Sequence, residues 1–203
     1  MRKPGIQKAP GPIAARVLLN CCESPRWKLM HDSIERNFGL TIAYVLPGFV
    51  CLWGASALSP LLTHWLAVDP TSNPSIANFL YTLLASLATG LIVSAVRWAA
   101  VDTLHHHTGV PFPDPDFSKL QDHLDAFKLS VELYYRYYQF YANMFVAIAL
   151  AAGSRFASGA LPSVKATLLA STLEIVLLFA SRDSLSRYYT RIAQTLGTRT
   201  PRA

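Results

Sequence analysis

Charge is what this chain has least of. Asp, Glu, Lys and Arg make up 15% of its 203 residues while 52% are hydrophobic, and that balance excludes an ordinary soluble domain, in which about a quarter of residues are charged. Cysteine is scarce too. Of the 3 present, Cys21 and Cys22 are neighbours and Cys51 lies in an apolar run, so neither a disulfide framework nor a C-x-x-C metal pair can form. Cys21 and Cys22 read as small apolar fillers, or as acylation sites where the chain meets a membrane surface. The G-x-S-x-G elbow, the H-E-x-x-H helix and the P-loop are also missing, which removes the corresponding enzyme classes at motif level. Met1 to Asn20 is basic but lacks an apolar core followed by a small-residue cleavage site, so no removable leader is expected.

What the chain does have is long uncharged apolar runs. The stretch 38–68 contains no formally charged residue, ample for the ~20 residues that cross a bilayer core, and Pro47 within it predicts a kink. VDPTSNPS, residues 68–75, is a turn by composition. A second run, 76–100, is free of charge until Arg97, whose long side chain reaches an interface. The character then changes over 102–116, where three prolines and a glycine predict a loop. Ser118 and Gln121 have capping-box spacing and mark a helix start. From Phe117 through Leu120, Leu124, Phe127, Val131, Tyr134, Tyr138, Tyr141, Phe145 and Ile148 the apolar residues step by three and four, which predicts one helix of about 35 residues. A fourth run opens near Leu161, and its pattern continues to Leu196, with Gly197 as the stop.

The expected fold is therefore all-α: four transmembrane helices, the third and fourth extended into the cytoplasm. Residues 1–37 form a basic arm and an amphipathic interfacial helix, 38–196 the four-helix domain, and 197–203 a disordered tail. Of the 18 Lys and Arg residues, Arg155 and Lys165 alone fall on the far side of the runs. The positive-inside rule then places both termini and the His-rich loop in the cytoplasm of a cell-membrane protein. Bases that collect beside apolar runs rather than along a groove also argue against a nucleic-acid partner.

Three constellations stand out. The first is Glu174, a carboxylate inside the fourth run, with Asn143, Tyr44 and Thr89 at a similar depth. An intramembrane carboxylate costs at least a few kcal/mol if charged and facing lipid, so it is expected to pair with Asn143 or to face the bundle interior or a subunit interface. Thr167 and Ser171 share its helical face. It reads either as an ion-handling site or as a packing contact. The second is Asp102, His105 and His106, ligand types suited to a divalent metal if the second helix continues through them. The His105–His107 run resembles the histidine boxes of membrane di-iron desaturases only superficially, because six histidines in all cannot supply that family's ligands. The third comprises Arg97, Arg136, Arg182, Asp183 and Arg187, interfacial charges suited to headgroups or to pairing with Asp122, Asp125 and Glu132.

The sequence points first to a homo-oligomeric, ion-permeable or gated membrane assembly with a polar intramembrane layer. The alternatives are a membrane-embedded, metal-dependent enzyme acting on lipid at the cytoplasmic interface, and an accessory subunit of a larger membrane complex. The partners expected are the lipid bilayer and either further copies of this chain or other membrane subunits.

Overall fold

The computed structural model describes residues 25–66, 76–160 and 162–197, with side chains from Gly39 onward except Leu40. The basic arm through Ser24, which includes Cys21 and Cys22, lies outside the described residues, as do the 68–75 turn and the tail beyond Gly197. Two units are separated, Met1–Phe38 and Gly39–Ala203. Helix is the only regular structure among the described residues.

The first helix, α1, is Pro25–Ala55. Proline suits a first helical position because its missing N–H would be unbonded there anyway. The expected interfacial helix and first span are thus one element, since no breaker separates Trp27 from Phe38. A short 3-10 turn, Ser56–Leu58, follows, and Ser59 is extended, with φ −132° and ψ 113°, the conformation that a following proline imposes. Pro60–Leu66 then forms α2.

Helix α3 is Ile76–Arg97. It does not stop there: a single π-turn, Trp98–Asp102, leads into α4, Thr103–His107. The loop expected from Asp102 therefore begins six residues later, because the prolines that break helix start only at Pro111. Gly109 closes α4 at φ 94°. Its N–H donates to the His106 carbonyl and that of Val110 to the His105 carbonyl, at 3.5 and 3.1 Å, while Val110 is buried. This is the paired-bond glycine cap.

The helix expected from Ser118 begins at Leu124 instead. Asp116 accepts from both the backbone N–H and the hydroxyl of Ser118, at 3.2 and 2.7 Å, so Ser118 caps nothing and a 3-10 turn, Phe117–Lys119, forms. A carboxylate two residues upstream outcompetes the hydroxyl as an acceptor. Then come α5, Leu124–Ser130, a second π-turn, Val131–Tyr135, and α6, Arg136–Ala157. The last helix, α7, is Val164–Leu196, capped by Ser163 accepting from the Ala166 N–H and ended by Gly197 at φ 72°.

Four helical stretches are long and apolar enough to cross a membrane: Thr41–Leu58, Ile76–His107, Leu124–Ala157 and Val164–Leu196. Their mutual packing rests on glycine. A methyl group built on Gly48 would overlap the Ser86 carbonyl oxygen, one on Gly90 the Tyr44 carbonyl oxygen, and one on Gly54 the backbone of Ala151. The backbones of α1, α3 and α6 are therefore in direct contact, the small-residue packing that serves helices in lipid, where burial of apolar side chains gives no advantage. Tyr138, Ala142, Val146 and Ala147 of α6 form the centre of the core with Val93, Val101 and Leu185. In contrast, Val164, Leu168, Leu169, Leu173, Ile175 and Val176 leave the first half of α7 exposed.

Candidate functional site: a buried charge layer and an uncovered polar stripe

The π-turn at 98–102 creates a buried polar cluster. In an α-helix, residues five apart point ~140° away from each other; the wider turn brings Arg97 and Asp102 to the same side. Arg97 Nη1 donates to Asp102 Oδ1 at 3.0 Å, with the side chains only 5% and 21% exposed. Tyr138 of α6 donates its hydroxyl to the same carboxylate oxygen, and the Arg97 guanidinium lies 5.2 Å from the centre of the Tyr138 ring. A buried ion pair of this kind adds little net stability, but removing one member leaves an uncompensated charge. The second π-turn extends the cluster, since Tyr135 packs on Tyr138 and Tyr188 with ring centres 6.0 and 5.0 Å apart.

One turn further, the histidines tie α4 to α7. Buried His105 meets the Ser181 hydroxyl, Nε2 to Oγ, at 2.9 Å. Ser181 donates its own proton to the Leu178 carbonyl at 2.8 Å, so Nε2 is the donor in this pair. In this arrangement the pair ties α4 to α7. His106 stacks on Tyr189, with ring planes 7° apart, and shares a 3.2 Å hydrogen bond with its hydroxyl; Phe112 meets both rings edge-on. Arg182 donates to the Thr108 carbonyl at 2.6 Å, not to the acidic face of the preceding helix.

The metal expectation at Asp102, His105 and His106 does not fit this geometry. The three sit on one continuous helical stretch, but each is directed to a different partner: Arg97 and Tyr138, Ser181, and Tyr189. Among the described residues no group of three His, Cys, Asp or Glu side chains could hold a metal ion. Of the interfacial charges, Arg136 pairs with Glu132 at 3.8 Å and Arg187 with Asp183 at 2.9 Å, each one turn apart.

Asn143 is fully buried and donates Nδ2 to the Ala43 carbonyl of α1 at 3.0 Å. That carbonyl is the one Pro47, four residues on, cannot bond, because proline has no N–H. Asn143 thus supplies the missing donor, and it makes no hydrogen bond to Glu174. Gln139, which no spacing in the sequence marks, donates to the Tyr44 hydroxyl one turn away at 3.2 Å; Thr89 is half-buried nearby on α3. Replacing Asn143 with leucine is expected to cost about 2 kcal/mol by orphaning the Ala43 carbonyl. In a Pro47→Ala background, where the backbone N–H restored at position 47 bonds that carbonyl, the same replacement should cost less than half as much. Thermal melts of the four proteins in detergent measure this cycle.

Glu174 stands apart from all of these groups. It is half-buried on the uncovered half of α7, its Oε1 is shielded from solvent, and that oxygen has no hydrogen-bond partner among the described residues. Thr167 and Ser171, on the same face, are exposed.

No family model matches the chain, and no characterised protein or solved structure shows significant similarity to it.

Proposed function

We propose that this chain is a multi-pass membrane protein that assembles with itself into an ion-permeable, gated pore, with Glu174 at the subunit interface. The observation behind this is a shielded carboxylate oxygen without a partner, on a helix half that no other described helix covers. Left toward lipid, that carboxylate costs at least a few kcal/mol if charged; Ser171 and Thr167 lie on the same face, the latter with its hydroxyl bonded to the Ser163 carbonyl at 3.2 Å. Repeated around a symmetry axis, they line a hydrated path, as rings of carboxylates do in cation channels. A heterologous subunit would need complementary donors, whereas further copies of this chain need only water and a permeant cation.

The Arg97 end of the bundle, with Lys119, Lys128, Arg136, Arg182, Arg187 and Arg191, faces the cytoplasm by the positive-inside rule. The charge layer there, Arg97–Asp102–Tyr138 with His105–Ser181, fixes α3, α4, α6 and α7 as the rigid base from which the free half of α7 projects. In proteoliposomes the protein is expected to pass monovalent cations. Glu174→Gln, which keeps the shape and removes the charge, should cut that flux about tenfold, the size of effect that one lost charge–ion contact of ~1.4 kcal/mol produces. A folded, reconstituted protein without flux would sink the proposal.

A further inference from the structure

Two contiguous furrows run along the seam between α7 and the segment from the second π-turn into α6. The outer one, about 320 Å³, is lined by Tyr134, Ser186, Arg187, Thr190, Arg191 and Gln194. The inner one, about 340 Å³, shares Tyr134 and Arg187 and continues past Asp183 to Leu133, Tyr137 and Tyr141. The outer end thus carries both guanidinium groups, while the inner end adds Leu133 and the rings of Tyr137 and Tyr141 beside Asp183 and Ser184. We propose that this continuous furrow binds an anionic glycerophospholipid, its phosphate held by Arg187 and Arg191 and an acyl chain lying against Leu133, Tyr137 and Tyr141.

The hydrogen-bonding inventory favours this occupant. Arg187 forms an ion pair with Asp183, Nε to Oδ2 at 2.9 Å, and makes no further ion pair among the described residues. Arg191 likewise makes no ion pair among them. Thr190 commits its hydroxyl proton to the Ser186 carbonyl at 2.8 Å, so the donors the outer furrow offers a ligand are the guanidinium groups, the Ser186 and Tyr134 hydroxyls and the Gln194 amide. With Asp183 offsetting Arg187, the furrow carries one net positive charge. A phosphodiester monoanion matches that, whereas free phosphate near pH 7 carries between one and two negative charges and has no apolar tail for the inner end. The tyrosine-rich stretch 134–141 belongs to the headgroup level of a bilayer, where such rings concentrate.

The inference rests on the membrane placement above, not on conduction. It is tested by native mass spectrometry of the full chain in mild detergent, titrated with phosphatidylglycerol, phosphatidylcholine of matched acyl chains, or inorganic phosphate. Wild type is expected to retain phosphatidylglycerol in preference to phosphatidylcholine. Arg191→Gln should weaken phosphatidylglycerol about fivefold, and Arg187→Gln with Arg191→Gln should abolish the preference. Lys128→Gln with Lys165→Gln, an equal charge change at exposed sites outside the furrow, should leave it intact. An undiminished preference in the double arginine variant, an equal loss in the lysine control, or displacement of the lipid by millimolar phosphate would overturn the site. Release of the protein from membranes by alkaline carbonate would instead overturn the membrane placement; a carbonate-resistant protein without lipid preference sinks the lipid site alone.

Discussion

Replacing Asp102 with alanine is expected to lower stability by about 3 to 5 kcal/mol, the cost of leaving one member of a buried pair uncompensated. Asp102 has two partners to lose: the Arg97 guanidinium at 3.0 Å and the Tyr138 hydroxyl. Arg97 is 4% exposed and its Nε already lacks a partner, so it cannot recover hydration without opening the contact between α3 and α6. The melting temperature in detergent should fall by ~10 °C. The diagnostic companion is the double replacement Arg97→Met with Asp102→Leu, which removes both charges and keeps the volume. It should melt closer to wild type than either single variant, because the net contribution of a buried pair is small even when breaking it is costly. If Asp102→Ala melts at the same temperature as wild type, the charge layer is not holding the helices.

The second large effect is steric. Gly90→Ala is expected to destabilise the fold by about 3 kcal/mol, the upper part of the usual range for overpacking, although alanine is the better helix former by ~1 kcal/mol. The added carbon would overlap the Tyr44 carbonyl oxygen, a backbone atom in a helix that cannot swing away as a side chain tip can. Gly48→Ala meets the Ser86 carbonyl in the same way. Gly153→Ala is the internal control, because nothing lies within 4 Å of the position its methyl group would take; helix propensity should make that variant neutral or slightly more stable. Equal melts for Gly90→Ala and Gly153→Ala would show that α1 and α3 are not in backbone contact.

The helical class and the apolar stretches are legible in the sequence because hydropathy and missing charge are properties of single segments. Gly197 is legible as a stop for the same local reason. Other features need three dimensions. The π-turn at 98–102 breaks the 3.6-residue period, so counting by helical steps separates Arg97 and Asp102 onto different faces when they share one. Gly109 is a readable helix stop, yet the prolines that follow it give the whole stretch a loop composition that hides the cap. Asp116 displaces Ser118 as the local acceptor, which the capping-box spacing alone does not show. Gln139 sits within a run of tyrosines and carries no signal of its own, and Ser181 looks like the edge of an apolar run. The partner of Asn143 is readable in principle: a proline at 47 orphans the carbonyl at 43, and a buried amide at matching depth is the natural donor. Glu174 is conspicuous as a charge in an apolar helix, and its surroundings sharpen it further, because Asn143, the group expected to satisfy it, is engaged elsewhere.

Self-assembly is the claim on which the functional proposal depends, since the carboxylate of Glu174 has to be covered by something other than lipid. Native mass in mild detergent tests it most directly. The prediction is a species whose protein mass, after bound lipid is subtracted, is an integer multiple, two or greater, of the 22.4 kDa chain mass. That species should dissociate when Ser171 and Glu174 are both replaced by lysine, which sets like charges against one another across the interface. A single 22.4 kDa species at all protein concentrations, from a preparation that melts cooperatively, would contradict it.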